Sequence, residues 1–236
     1  MSPVPISILV IFARSIKTSR LPFLMIIRSI NDLRNPDFVW SPLSEPDPRF
    51  LRLADLMIRL NETGHVYWAR DPDKEDQFDI VVRDHLPKRT PEVRELLTLL
   101  GQSQKISNAA SVVLPIYHAM EKPAAGGVAV TTCSIFELIE ILSAAVAVPE
   151  EHSDSGLATR YPPPGLAGKA VRILRARERP ANASVAVKYR QSWFYIEETD
   201  QATKLMFRIL RALWKDRIAA TTQRQSAPLL TIPVGQ

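Results

Sequence analysis

The sequence predicts an α+β protein in which mixed or antiparallel sheets, built from hairpins, are covered by amphipathic helices. Residues 184–189 alternate in polarity and residues 193–196 are all β-branched or aromatic, so the two runs are expected to pair as a hairpin. From residue 201 to about residue 219, apolar residues recur at spacings of three and four, which indicates a helix with one buried face. We expect this helix to lie across the hairpin, and residues 227–234 to return as an edge strand.

Three further helices begin where an N-cap residue precedes proline or a capping-box glutamate: Asp47 before Pro48, Thr90 before Pro91, and Ser134 three residues before Glu137. The apolar spacing of residues 19–33 favours one more helix. Short apolar or alternating runs predict the remaining strands, at residues 65–69, 77–82, 111–117, 128–132 and 171–177.

The chain divides by composition near residue 150. Residues 150–168 are rich in serine, proline and glycine and show no apolar period, so we interpret them as a linker or a functional loop. This leaves an N-terminal α+β region at residues 1–149 and a unit of hairpin, helix and edge strand at residues 169–236. Two lobes that meet near residues 150–168 are one arrangement of these parts.

Composition favours a soluble protein of a reducing compartment. The 236 residues include a single cysteine, Cys133, which excludes an internal disulfide and a cysteine-pair zinc site. The apolar runs at residues 6–13 and 21–27 are too short to cross a bilayer, so we expect buried elements, no membrane association and a cytoplasmic location. A signal peptide is the weaker alternative, because positive charge follows the first run instead of preceding it.

Charge is distributed unevenly along the chain. The net charge is +5, but residues 169–236 carry 13 Lys and Arg against 5 Asp and Glu, a net of +8, which leaves −3 for residues 1–168. Such asymmetry points to an acidic partner, either another protein or a nucleic acid.

The least ordinary polar cluster in the sequence is Glu150, Glu151, His152 and Asp154. Carboxylates beside an imidazole can hold a metal ion or carry acid–base chemistry. Their spacing matches no metal-ligand pattern, so a solvent-exposed segment after a helix is the alternative. We therefore expect no bound metal and no cofactor.

The remaining reactive residues stand alone in the sequence. His65, His85 and His118 each stand alone beside a predicted element, and we expect each to be a surface or hydrogen-bonded histidine. Cys133, just before the Ser134 helix start, is either a thiol whose pKa is lowered by the helix dipole or a small buried side chain. Common nucleotide-binding and hydrolase motifs are absent, and eight glycines provide no glycine-rich phosphate loop.

Basic residues are interleaved with aromatic ones in the C-terminal third. A cationic sheet face with exposed aromatic rings can bind phosphates and stack bases; an aromatic core under an ordinary solvated face is the alternative. The cationic candidates are Arg172, Arg175, Arg177, Arg179, Lys188 and Arg190, beside Trp193, Phe194 and Tyr195.

Residues 185–210, together with residues 148–152 and 227–235, resemble an uncharacterised family of bacterial proteins with no assigned activity. The resemblance implies a bacterial cytoplasmic protein and assigns no chemistry to any residue. The sequence thus favours a non-catalytic binding or assembly subunit, with another protein as its partner. The first alternative is a nucleic-acid-associated protein that uses the basic C-terminal face; the second is an enzyme or metal site around Glu150, Glu151 and His152.

Overall fold

A computed structural model describes residues 3–15, 19–36, 47–74, 77–83, 90–105, 111–118, 126–161 and 165–225. The helices in these ranges are α1 (Ile6–Ser15), α2 (Leu21–Ile26), α3 (Pro48–Glu62), α4 (Pro91–Leu99), α5 (Ile135–Ala144), α6 (Glu150–Asp154), α7 (Leu166–Ala170) and α8 (Gln201–Gln225). The strands are β1 (Ile27–Ile30), β2 (Leu33–Arg34), β3 (Val66–Arg70), β4 (Phe78–Arg83), β5 (Ser111–His118), β6 (Val128–Thr132), β7 (Leu174–Ala176), β8 (Ala183–Tyr189) and β9 (Ser192–Glu197).

The strands form two separate sheets. The larger has the order β2-β1-β6-β5-β4-β3 and the smaller the order β7-β9-β8. Only the β5–β6 pair is parallel among the pairs described, and the others are antiparallel. Helices and mixed sheets together confirm the predicted α+β class.

One face of the six-stranded sheet carries the main core. In this face Ile80 of β4 is paired with Trp68 of β3 and Leu114 of β5, and all three side chains are buried. They share one apolar cluster with Phe50 of α3 and Leu96 of α4. Since strand side chains alternate between faces, the intervening residues point away from these helices.

The predicted helix starts are confirmed. The Asp47 side chain accepts a hydrogen bond from the Arg49 backbone N–H at 2.9 Å, and the Thr90 hydroxyl accepts one from Val93 N–H at 3.4 Å. Both members of the Ser134–Glu137 capping box are present, with the Ser134 N–H donating to Glu137 Oε2 at 2.8 Å. These caps satisfy N–H groups that have no partner within the helix.

The helix predicted over residues 19–33 is wrong beyond its first two turns. Helix α2 ends at Ile26, and the chain continues directly as β1 and then β2. The reason is non-local: β1 pairs with β6, with Ile30 opposite Val130, and completes the large sheet. Residues 27–30 are apolar enough for either structure, and this pairing selects the strand.

Residues 150–168, interpreted from the sequence as irregular, contain α6 and most of α7. Ala167 on α7 is fully buried and belongs to the main core. Strand β7 is shorter than the predicted run of residues 171–177, because Val171 is buried in the same core before the strand begins. The division of the chain into domains stays a prediction.

Helix α8 forms where the sequence predicts a helix, but it packs against other elements than the predicted hairpin. Its buried residues Met206, Ile209 and Leu213 belong to the main core, next to α5. No described residue of β8 or β9 belongs to that core, so the helix does not roof the hairpin as predicted. The predicted edge strand at residues 227–234 lies outside the described residues. None of the described helices is both long and apolar enough to cross a membrane.

Candidate binding site

The three-stranded sheet is held together by a tight hairpin. Strands β8 and β9 pair in antiparallel fashion up to Tyr189 opposite Ser192, and Arg190 makes the turn with a φ of 53°. That left-handed backbone region is uncommon for a residue with a side chain. The turn therefore fixes Tyr189 and Arg190 at one end of the small sheet.

One face of this sheet is apolar and open to solvent. Val185, Val187 and Tyr189 of the outer strand β8 are 52%, 58% and 57% exposed. Val187 pairs with Phe194, and Val185 pairs with the buried Ile196. The apolar surface thus runs from the outer strand β8 onto the central strand β9, and we call Val185, Val187, Tyr189 and Phe194 the apolar face.

A cavity of about 320 Å³ opens beside the apolar face. Its walls come from the segment between α5 and α6, from α6, from the residues after α6, and from the hairpin. The lining residues are Val146, Val148, Pro149, His152, Leu157, Ala158, Ile173, Tyr189, Arg190 and Phe194. Eight of these ten are apolar or aromatic, so the cavity favours an apolar occupant.

Backbone hydrogen bonds fix the wall opposite the hairpin. Ala147 N–H donates to Ile173 C=O at 2.9 Å, and Ile173 N–H donates to Ala145 C=O at 3.1 Å. The His152 carbonyl accepts from Leu157 N–H at 2.8 Å and from Ala158 N–H at 3.0 Å. The cavity therefore lies between the hairpin and the segments around α6, and backbone hydrogen bonds hold both sides in place.

The acidic and imidazole candidates do not converge. Glu150 and Glu151 are exposed on α6, and Asp154 pairs with Arg160. His152 alone of this set lines the cavity. The described part of the chain holds no group of three His, Cys, Asp or Glu placed to bind a metal ion, which gives the metal alternative no support.

The six cationic candidates, residues 172, 175, 177, 179, 188 and 190, are all exposed, and none of them takes part in an ion pair with another described residue. The two that lie on strands are on opposite faces: Lys188 pairs with Trp193 on one face, and Arg175 with Phe194 on the other. Arg179 lies over the Trp193 ring at 5.6 Å, and Arg190 over Tyr189 at the same distance. The sheet carries no single cationic stripe.

The remaining candidates lie elsewhere. Cys133 is fully buried, its thiol donates to the Met25 carbonyl, and burial raises the thiol's pKa well above its usual range, so of the two alternatives the structure supports the small buried side chain. His65 Nδ1 is 2.9 Å from Thr63 Oγ1. His118, on β5, has a buried Nε2 without a partner among the described residues. His85 lies outside the described residues.

Two features of the structure were missed by sequence reasoning. Asp79 is buried on β4, its Oδ1 has no hydrogen-bond partner in the described structure, and burial raises the pKa of its carboxyl. An acid inside an otherwise apolar strand was the available signal. The meeting of His152 with Arg190 at one cavity had no signal, because the two lie far apart in the sequence.

No protein-family model, no curated protein and no solved structure matches this chain. The resemblance to a bacterial family, chiefly over residues 148–234, accordingly stays a prediction.

Proposed function

We propose that this protein is a non-catalytic binding or assembly subunit whose apolar face docks another protein. The observation that carries the proposal is the exposure of Val185, Val187 and Tyr189, each more than half open to solvent on one face of one strand. Apolar side chains grouped in this way mark interaction surfaces, because covering them releases ordered water.

The charge around the apolar face supports an acidic partner. Arg175 is paired with Phe194 on this face, and Arg190 lies over the Tyr189 ring. Two copies of the chain docked through this face would bring these charges together, whereas an acidic segment would neutralise them. Both cations are arginines, which are enriched with aromatic residues at protein interfaces while lysine is depleted.

A docking role also fits the absence of a supported catalytic group. Among the described candidates, Glu150, Glu151 and His152 do not point to a common site, and the Cys133 thiol is buried. Nucleophile or acid–base catalysis needs such groups within hydrogen-bond reach of each other.

Selection of short peptides on the immobilised protein tests the proposal. We expect enriched sequences that combine apolar and acidic residues, and a synthetic peptide of that sequence should bind the wild type in a calorimetric titration. Val187→Ser removes one exposed apolar contact and should weaken this binding about tenfold.

Val113→Ser is the matched control, because Val113 is also an exposed strand valine, 49% open to solvent, but lies on the large sheet. It should leave the affinity unchanged. Failure to enrich any peptide, or equal binding to Val187→Ser and wild type, would contradict the proposal.

Nucleic-acid binding is the second candidate, and the exposed cations with Arg179 over Trp193 favour it. The exposed valines argue against it, because they offer no partner to phosphate or base. A titration of generic single-stranded RNA and duplex DNA in increasing salt decides: affinity that falls steeply with salt supports this candidate, and no binding at low salt rejects it.

A further inference from the structure

The cavity beside the hairpin adjoins the apolar face and shares Tyr189 and Phe194 with it. It is a concave opening between these two residues and the segments around α6, whereas Val185 and Val187 lie on the open sheet surface outside it. Its volume of about 320 Å³ lies at the lower end of the range for small-molecule sites. An occupant must therefore be compact.

The lining specifies the body of that occupant. Aliphatic side chains of Val146, Val148, Leu157 and Ile173 form one side, and the Phe194 ring forms part of the other. These groups offer no hydrogen bonds, so they favour a hydrocarbon or aryl body over a sugar or a nucleotide. A straight acyl chain of about eight carbons is of suitable size.

The polar lining residues specify the head group. Arg190 is a fixed cation with five N–H donors, and its guanidinium is placed by its contact with the Tyr189 ring, which also lines the cavity. His152 contributes at least one ring N–H or nitrogen acceptor. No Asp or Glu is among the described residues that line the cavity.

We infer that this cavity binds a small apolar monocarboxylate, with the acyl or aryl body among the aliphatic side chains and the carboxylate at Arg190. Arginine matches a carboxylate with two parallel hydrogen bonds, which a neutral head group cannot reproduce. The inference goes beyond the docking role and does not depend on it. The fixed backbone contacts of Ala147 and Ile173 preform the site before the ligand arrives.

Methyl NMR of the whole chain with octanoate as the probe tests this inference. Titration should shift the methyl signals of Val146, Val148, Leu157 and Ile173, and leave those of Leu56 and Leu96 in the main core unchanged. Octanol, which has the same body without the charge, should bind at least fivefold more weakly. Absence of shifts at the cavity methyls with octanoate would overturn the site, and equal affinity for octanol would overturn the carboxylate preference.

Two variants and one control locate the contacts. Arg190→Gln should weaken octanoate binding about fivefold and leave octanol binding unchanged. Lys188→Gln removes a neighbouring cation on the opposite sheet face and should have no effect on either. Ala158→Phe should fill the cavity and abolish both, with unchanged core methyl signals as proof of folding. Octanoate binding that survives both Arg190→Gln and Ala158→Phe would place the ligand elsewhere.

Discussion

Leu114 of β5 and Val187 of β8 are both aliphatic residues in the middle of a strand, yet the first is fully buried and the second is 58% exposed. The large sheet shares one apolar core with α1, α3 and α4, whereas no described residue of β8 or β9 belongs to that core. Aliphatic strand residues are thus buried in a core in one region and exposed to solvent in the other.

Leu114→Ala should have the largest effect on stability. Leu114 lies at the centre of the main core, and truncation leaves a cavity that its packed neighbours cannot close. We expect a loss of about 3 kcal/mol in the free energy of unfolding, measured by urea denaturation. The adjacent Val113→Ala, on the open face of the same strand, should cost less than about 0.5 kcal/mol. Equal costs would contradict the assignment of the two faces.

That core was partly predictable because much of it depends on local signals. The Asp47, Thr90 and Ser134 caps are satisfied within one turn of their own helices, so the sequence alone identifies them. Strand β1 was not predictable in this way, since its identity depends on pairing with β6, about a hundred residues later. The spacing of neighbouring residues carries no information about a strand partner so far away in the sequence.

The candidate site was less accessible to sequence reasoning for the same reason. His152 and Arg190 were each singled out, but in separate sets, and only tertiary structure brings them to one cavity. The alternation of Val185, Val187 and Tyr189 correctly predicts that they share a face. It does not reveal whether a helix covers that face, and α8 instead packs into the main core.

Thr203→Val tests the contact between α8 and the segment that leads into β7. The Thr203 hydroxyl accepts from Arg172 N–H at 2.9 Å and lies 2.6 Å from Asp200 Oδ2, and the side chain is fully buried. Valine keeps the shape but leaves the Arg172 N–H without its partner, so we expect a loss of about 1–2 kcal/mol in thermal or urea unfolding. Thr203→Ser keeps the hydroxyl and should cost less. A Thr203→Val protein as stable as the wild type would show that this hydrogen bond does not stabilise the contact between α8 and that segment.

Asp79→Asn should change the free energy of unfolding by a smaller amount, and it should stabilise the protein. Because burial raises the pKa of the Asp79 carboxyl, the folded chain binds its proton more tightly than the unfolded chain, and stability falls as pH rises through the folded pKa. The asparagine variant avoids this loss and should be more stable by about 1 kcal/mol at pH 7.

The gain of Asp79→Asn should shrink as the pH is lowered towards the ordinary carboxyl value of 3.8, as measured by urea unfolding at several pH values. Asp73→Asn, in the exposed turn between β3 and β4, is the control and should show no such trend. A destabilised Asp79→Asn protein at pH 7 would mean that the carboxylate has a partner that stabilises its charge.

Thiol labelling of Val187→Cys tests most directly whether the small sheet presents an open apolar face. The wild-type chain has one cysteine, Cys133, which is buried and whose pKa is raised by burial, so the folded protein should not react with a maleimide. The folded Val187→Cys protein should take up one label per chain at the rate of an exposed thiol, and a peptide selected on the wild type should slow that reaction. An unreactive Cys at position 187 in the folded protein would contradict the account.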